Sequence, residues 1–564
     1  MKKRRLYAIY AISFVIVFLI GFLPVLAERR SLVGHDDAFN EYYCAFVYIG
    51  RWIRSAISGN FHLYDTSIAM GESVIGVLNY YGFGDILLIP FTLFPEKYIH
   101  YGYTLSIVAR LFLAGIAFLF YWDRKGQRNI WCIVAALFYV FSPYTMTEGL
   151  LFHCYVTVLV WLPLIMTGVE EVFKSYESND SKWYFSWILI FSVFFLSLTG
   201  FYFLYMVIIY VAVWMLVDIV LQRDKRKIRS ALTVVVEFAL GMGLAGFMLM
   251  PAVKYFLQSP RSGKASFLSA FLELPTKDTI IGAINNLITP PRNIYDYLAF
   301  TLPIIIVLCI ITLITHKNIE KRSKLIIGTV LCLYGYFFPA VGTMMNGFER
   351  HYDRWIFLAE FFFACLFIYV APELVRAVSL PAKIVFVVLF ISWLGFKLYF
   401  NEIGTNDYPL LIFYVTLWAM LLITLYFGRS HKFAINVIYI LCVVNICANV
   451  FFMNASENIG GSDAKEFFRS NVRGTYTETP IYWNSQLSSD RVFERYDIIN
   501  GNMKDLPLIC GLNTTYGSYS IDNGKIWDLK ERLNMQYPLH GLDSRQVLES
   551  LMCVTNYKIG RAHV

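Results

Sequence analysis

Two adjacent carboxylates, Asp36 and Asp37, follow the first apolar run of the chain, and Glu41 lies four residues after Asp37. A carboxylate held at a membrane surface can act as general base for an acceptor hydroxyl while a lipid-linked leaving group lies in the bilayer. Two plainer interpretations stay open, namely solvated loop aspartates and an N-cap for the helix that follows. The pair is therefore a candidate for acid–base chemistry that its spacing alone does not establish.

Arg110 lies within an apolar stretch, about midway along a run long enough to span a membrane. A cation in a bilayer costs at least about 2.5 kcal/mol on insertion scales, so it is normally paired or functional. The guanidinium could hold the phosphate of a lipid carrier through two parallel hydrogen bonds. Alternatively, the side chain extends to the outer headgroups.

Further polar side chains fall in predicted loops on the same side of the membrane as the carboxylate pair: Glu148, His153, Arg261 and Arg354. Together with Asp37 they could ring a cavity that opens outward and holds a charged substrate. Each of them alone is more typical of an ordinary membrane-interface residue than of a ligand contact.

Several motifs of other chemistries are absent from the sequence. No P-loop occurs, which argues against an ATP-driven pump, and neither G-x-S-x-G nor H-E-x-x-H is present. The ten cysteines form no C-x-x-C, so a zinc or redox site has no support. We assign no metal ligands, and the sequence leaves open whether a divalent metal is needed.

The elements that must position these groups are membrane helices. Of 564 residues, 57% are hydrophobic and only 16% charged, with a mean hydropathy of +0.55, whereas soluble domains carry about a quarter charged residues. A run of about 20 apolar residues spans a bilayer core. We predict an all-α polytopic protein with about 13 transmembrane helices, near residues 6–27, 99–122, 130–147, 152–172, 184–200, 202–221, 231–251, 299–315, 325–343, 355–375, 383–400, 409–428 and 433–453.

Lysine and arginine predict the orientation. The net charge is +8, and the basic residues concentrate in every alternate loop, beginning with Lys2-Lys3-Arg4-Arg5. Short basic loops stay in the cytoplasm, which places the N-terminus there. Because the charge forms no single basic patch, we expect no nucleic-acid partner.

This orientation places three large segments outside: 28–98, 252–298 and everything after about 454. We treat 1–453 as the transmembrane module and 454–557 as the start of a mixed α/β extracytoplasmic domain. Residues 558–564 resemble a translated sequencing adapter. We therefore expect the natural chain to continue past Tyr557 and the outer domain to be incomplete here.

The order of short motifs along nearly the whole chain resembles the YfhO family of bacterial membrane proteins, within the GT-C superfamily of glycosyltransferases. That family has Gly and then Asp after the first helix, matched by Gly34 and Asp37, with an amide four residues on that Glu41 replaces. The other matching pieces are Tyr80-Tyr81-Gly82, Arg110, Phe201–Tyr205, Leu249-Met250-Pro251 with Ser259 and Arg261, Arg354-Trp355, Arg491, Asn500-Gly501 and Tyr516-Gly517-Ser518.

The resemblance implies an inverting glycosyltransferase of the bacterial plasma membrane. Its donor would be a polyprenyl-phosphate sugar in the outer leaflet and its acceptor a cell-surface polymer such as lipoteichoic acid. Asp37 would be the catalytic base, with Asp36 secondary. The expected substrate contacts are Arg110, Glu41, His153, Arg261 and Arg354.

A non-enzymatic alternative is a transporter, flippase or assembly factor for lipid-linked glycans. A transporter has little need for an outer loop of about 70 residues that carries a carboxylate pair, or for a large outer domain. The first external loop therefore favours the enzyme.

Overall fold

The computed structural model describes residues 1–27, 31–34, 37–178, 184–259, 274–287, 303–349, 351–377, 380–399, 408–427 and 431–455. Beyond these it describes 495–499, 505, 508–509, 513–515, 517, 519, 521, 524–535, 542, 545–552 and 554–559.

Helices dominate the chain up to residue 455. The α-helices before the second large outer segment are α1 (Lys3–Gly21), α2 (Leu23–Ala27), α3 (Cys44–Ile57), α4 (Val74–Leu78), α5 (Ile89–Thr92), α6 (Ile99–Arg124), α7 (Ile130–Val140), α8 (Thr157–Ser178), α9 (Trp187–Thr199), α10 (Phe201–Gln222), α11 (Lys225–Leu244) and α12 (Gly246–Gln258). Those that follow are α13 (Lys277–Asn286), α14 (Ile304–Thr315), α15 (Arg322–Phe337), α16 (Pro339–Met345), α17 (Ile356–Ala377), α18 (Leu380–Tyr399), α19 (Tyr408–Phe427) and α20 (His431–Ala455).

Each of the 13 predicted spans overlaps a helix, but the count of 13 membrane crossings is not confirmed. Within the described residues, six helices are long and apolar enough to cross a membrane, or up to eight if each of two bent pairs is one span. The remaining predicted spans coincide with apolar helical stretches in which 10–17 residues are described. The protein is therefore a multi-pass membrane protein.

The two bent pairs fall in the spans predicted at 231–251 and 325–343. α11 meets α12 at 88°, and α15 meets α16 at 91°. Gly243 and Gly246 flank the first break, and glycine weakens a helix interior. At the second break Phe338 is extended before Pro339, because proline disfavours the helical conformation of the residue that precedes it.

The first outer segment is compact. A π-helix over Ala38–Tyr43 runs directly into α3, whose residues Cys44–Gly50 are buried. The two-residue strands β1 (Tyr64–Asp65) and β2 (Glu72–Ser73) pair antiparallel. A 3₁₀ turn over Asn79–Tyr81 then ends at Gly82, whose φ of +89° lies in the left-handed region that glycine adopts most readily.

The C-terminal residues lie against this outer segment. The Asp505 amide donates to the Asn40 carbonyl at 3.1 Å, and the Thr66 hydroxyl donates to the Asn513 side chain at 2.7 Å. The described elements are β3 (Arg495–Ile499), α21 (Gly524–Arg532), α22 (Gln546–Leu551) and β4 (Val554–Ile559), and β3 pairs parallel with β4. A complete α/β domain over 454–557 stays a prediction.

Ion pairs cluster at the far end of the helices. α6 starts beside the outer segment, and its 26 residues rise about 39 Å at about 1.5 Å each. Near its end Lys3 pairs with Asp123 at 3.3 Å, and Lys125 pairs with Glu170 at 2.9 Å. Lys3 and Lys125 belong to segments predicted to be cytoplasmic, so the basic segments and the outer segments occupy opposite ends of the bundle.

We predict that cysteine substituted for Asn60 or Ser462 reacts with an impermeant thiol reagent in intact cells, and that cysteine at Gln222 reacts only after permeabilisation. The physical reason is the positive-inside distribution of the basic loops. The background should lack native cysteines. If only the cysteine at Gln222 is labelled in intact cells, the orientation is the opposite of the predicted one and the candidate site faces the cytoplasm.

Candidate functional site

A cavity of about 570 Å³ opens between the outer segment, α10, α12 and the turn before α17. Its polar lining includes Asp37, Glu41, Tyr80, Tyr202, Asn346, Glu349 and Arg354. Its apolar lining includes Phe201, Leu204, Ile208, Met242, Leu249, Val253, Phe256 and Leu257. One cavity is therefore lined by carboxylates, a guanidinium and a long apolar surface, which we call the apolar wall.

The carboxylates reach the cavity through the π-helix. Asp37 stands at its start and makes no side-chain capping hydrogen bond, so the capping interpretation is not observed. Glu41 is buried and accepts a hydrogen bond of 2.9 Å from the Tyr81 hydroxyl. Single-turn π-helices often occur at functional sites, and here the wide turn presents Asp37 and Glu41 to the same cavity.

Arg354 supplies the positive charge. Its guanidinium lies 4.6 Å from the centroid of the Tyr352 ring and 5.2 Å from that of Tyr155, within the usual range of cation–π contact. Nη1 donates to the Tyr80 hydroxyl at 3.1 Å, and Nε lies 3.3 Å from a Glu148 carboxylate oxygen. Aromatic faces and one carboxylate thus hold the cation at the cavity wall.

Glu148 is the electrostatic partner of that cation. Burial raises the pKa of the Glu148 carboxyl, and the Arg354 guanidinium opposes this rise. The turn that carries Glu148 is a second π-helix, Thr145–Gly149. Glu148 is therefore placed to orient Arg354 rather than to line the cavity itself, since it is not among the lining residues.

Tyrosines connect the polar end of the cavity. The Tyr80 and Tyr155 hydroxyls lie 2.8 Å apart, and the Tyr202 hydroxyl donates to Asn346 at 2.9 Å. Asn346 follows α16, so the 91° bend before that helix delivers it to the site. The sequence does not indicate that Asn346 reaches the cavity, because its position depends on the bend.

The apolar wall comes from α10, α11 and α12. Because α12 turns through 88° from α11, its residues Leu249, Val253 and Phe256 face the same space as Phe201 of α10. Such a surface suits the hydrocarbon part of a lipid, since apolar area removed from water contributes about 25 cal/mol per Å².

Arg110 lies elsewhere. It is 0% exposed and is not among the residues that line the cavity. Its Nη1 donates to Asp85 at 3.1 Å and to the Thr157 hydroxyl at 2.9 Å, and its Nε donates to the Ser106 carbonyl at 2.9 Å. The side chain does not extend to headgroups, and its donors are directed at protein groups rather than at the cavity.

His153 also lies outside the cavity lining. It is fully buried, with ring centroids of Tyr103, Phe46 and Tyr42 at 5.0, 5.6 and 6.1 Å. Tyr42 lines the cavity and His153 does not, which corrects the expectation that His153 rings the space directly. Asp36 and Arg261 lie outside the described residues.

Among the side chains that the structure describes, no group of three or more His, Cys, Asp or Glu residues could hold a metal ion. Asp37 and Glu41 supply two carboxylates to the cavity, so the need for a divalent metal is a question for chelation experiments.

These features define a class of protein: a multi-pass membrane protein in which one cavity combines carboxylates, an arginine in contact with aromatic rings, and an apolar wall. The family model described as bacterial membrane protein YfhO matches residues 9–563, and the chain belongs to that family. The family assignment made from short motifs is thus confirmed.

Similar proteins give further context. The uncharacterized protein YfhO of Bacillus subtilis (strain 168) is 22% identical over 551 residues, which cover 92% of this chain and 59% of that protein. The chain thus spans less than two thirds of the length of that relative.

Two solved structures align with this chain at TM-scores below 0.5. ArnT from Cupriavidus metallidurans, solved bound to undecaprenyl phosphate, aligns with a TM-score of 0.46 and 11% identity over 97% of this chain and 89% of its own. The arabinofuranosyltransferase AftD from Mycobacteria aligns with a TM-score of 0.36 and 13% identity over 70% of this chain and 26% of its own. Scores at this level carry no argument about function.

Proposed function

We propose that this protein is an inverting GT-C-type glycosyltransferase that moves a sugar from a polyprenyl-phosphate donor in the outer leaflet to a cell-surface polymer such as lipoteichoic acid. The observation that carries the proposal is the single cavity shared by Asp37, Arg354 and the apolar wall of α10 and α12. Such a donor has a matching tripartite chemistry, with a sugar, a phosphate and a long hydrocarbon chain.

The proposed donor pose follows from the chemistry of the walls. The hydrocarbon lies along Leu249, Val253 and Phe256, and the phosphate contacts Arg354, whose planar guanidinium suits phosphate oxygens. Tyr80 and Glu148 already hold this guanidinium through Nη1 and Nε. The sugar then lies toward the carboxylates at the polar end.

The proposed reaction is a displacement at the anomeric carbon. Asp37 takes the proton of the acceptor hydroxyl as its oxygen bonds to C1 from the face opposite the phosphate. The bond between C1 and the phosphate oxygen breaks, and its electron pair stays on the lipid phosphate. Arg354 stabilises the negative charge that develops there, an interaction that grows toward the transition state.

The test is the chemistry of the surface polymers. Strains with and without the gene should be compared by mass spectrometry of purified lipoteichoic acid and other envelope glycans. We expect the mass of one sugar residue to be missing from one polymer in the deletion strain and restored by the wild-type gene. Identical glycan masses in both strains, with the lipid-linked sugar also unchanged, would exclude transfer. Build-up of the lipid-linked sugar on the inner leaflet alone would indicate a flippase.

Arg354 provides a prediction about the phosphate contact. Arg354→Gln should lower transfer by about 10²–10³-fold, because one preformed charge partner of the leaving group is lost. Arg354→Lys should keep part of the activity, since it keeps the charge but not the fork of donors. The measurement is transfer in membranes with equal amounts of the variant protein.

The matched control is Arg54→Gln, which removes a half-buried arginine of the same outer segment that does not line the cavity and lies 3.8 Å from Glu96. That variant should retain full transfer. Full activity of Arg354→Gln would remove Arg354 from the proposed mechanism and leave the leaving phosphate without its assigned partner.

A further inference from the structure

A second cavity, of about 430 Å³, lies at the opposite end of the bundle from the first. The C-terminal ends of α6, α8 and α10 meet the start of α15 there. These ends carry the basic loops that the Lys and Arg distribution places in the cytoplasm. Nothing in the proposed transfer reaction uses this space.

The lining of this inner cavity is mostly charged. Six basic and four acidic side chains line it, which leaves an excess of two positive charges. The basic ones are Arg124, Lys125, Lys174, Lys227, Lys321 and Lys324. Collecting this many cations between membrane helices is unfavourable unless anions offset them.

The acidic side chains are largely occupied by ion pairs. Asp218 lies 2.8 Å from Lys324 and 3.3 Å from Lys227, and Glu170 lies 2.9 Å from Lys125. In contrast, Lys321 and Lys174 form no ion pair with the part of the chain that the structure describes. Glu171 pairs with Arg124, and Glu320 forms no ion pair with the described residues. The paired groups, four bases and three acids, therefore carry one of the two excess positive charges, and Lys321, Lys174 and Glu320 together carry the other.

Aromatic rings fix the ammonium groups around the cavity. Lys324 lies 3.5 Å from the centroid of the Trp214 ring, and Lys321 lies 5.5 Å from that of Tyr369. Lys321 also has a φ of +57°, in the left-handed region that few non-glycine residues occupy. Backbone conformations of this kind concentrate at functional sites, and the Tyr369 contact places the exposed Lys321 side chain beside the cavity.

We propose that the inner cavity binds a phosphate-bearing anion through Lys321 and Lys174. A phosphate carries one or two negative charges, which matches the excess of two, and it accepts charge-assisted hydrogen bonds from ammonium groups. The volume lies within the usual range of ligand sites. Basic pockets between membrane helices on the cytoplasmic side commonly bind anionic lipid headgroups. The phosphate belongs either to such a headgroup or to a soluble compound.

Native mass spectrometry of the detergent-purified full chain tests this. The lipid probe is dimyristoylphosphatidylglycerol, with zwitterionic dimyristoylphosphatidylcholine as the charge control, and the soluble probes are inorganic phosphate and glycerol 3-phosphate. Lys321→Gln and Lys174→Gln should each weaken binding about tenfold, because each removes one charged contact to the phosphate. Lys317→Gln, an exposed lysine of the same loop outside the lining, should bind like wild type.

Preferential binding of phosphatidylglycerol that weakens in both lining variants would support a headgroup site. Binding of the soluble probes with the same two weakened variants, but without a preference for phosphatidylglycerol, would support a soluble phosphate ligand. If neither probe binds, or if Lys321→Gln and Lys174→Gln bind as wild type does while eluting as folded monodisperse protein, the proposal is overturned. Because the readout is binding, its outcome is separate from that of the transfer reaction.

Discussion

Asp37→Asn should lower sugar transfer by about 10²–10⁴-fold, the usual contribution of a general base, while the amount of folded protein in the membrane stays unchanged. Asparagine keeps the shape of the side chain and one acceptor oxygen, and it removes the negative charge and the basicity. Asp37 lines the cavity and does not cap its helix, so the substitution removes no structural contact of that kind. The measurement is incorporation of the sugar into polymer in a deletion strain complemented at equal protein levels.

Two comparisons sharpen this experiment. Asp36→Asn should cost less activity than Asp37→Asn, and Asp278→Asn, on an exposed position of α13, should cost none. If the carboxylates bind a metal, Asp36→Asn and Asp37→Asn should both be severe and a chelator should reproduce the loss. Unimpaired glycosylation by Asp37→Asn would contradict the proposed proton transfer to Asp37 and favour a transporter or assembly factor.

The sequence predicted the helices well and their geometry poorly. Apolar runs located a helix at every expected span, because a run of this length buries itself in any membrane fold. It did not reveal that Gly243 and Pro339 would accompany right-angled breaks. Those breaks depend on what the following helix packs against, and they decide which side chains, such as Asn346, reach the cavity.

The candidate site was predicted in part. Asp37, Glu41 and Arg354 do share one cavity, as expected from loops on one side of the membrane. His153 and Arg110 do not line it. Sequence position gave their depth along the bundle but not the direction of their side chains, and direction is set by packing. The sequence does carry a signal for the partner of Arg110. A cation within the membrane needs an anion, and Asp85 follows the Tyr80-Tyr81-Gly82 motif by three residues.

The second large expected effect concerns that partner. Asp85→Ala should destabilise the protein by about 3–5 kcal/mol, because it leaves a buried guanidinium without its carboxylate. Both side chains of the pair are 0% exposed, so water does not replace the lost contact. Thermal unfolding in detergent, followed by size-exclusion chromatography, measures the loss.

A double variant separates structure from catalysis. Asp85→Leu combined with Arg110→Met removes both charges together, and replacing a buried pair by apolar groups is often neutral. We expect this variant to recover most of the stability lost in Asp85→Ala. The hydroxyls of Ser106 and Thr157, which accept hydrogen bonds from Arg110, limit the recovery because they lose those donors.

Transfer by the double variant then decides the role of Arg110. Arg110 links α6 to Asp85 and, through Thr157, to α8. If this link is its only role, the double variant should transfer sugar at a rate near that of the wild type. Arg354 would remain the cation at the phosphate. If the double variant is as stable as wild type but inactive, Arg110 must leave its partners and reach the donor during the reaction. Arg354→Gln should therefore be inactive at equal protein level, whereas the stable double variant should be active.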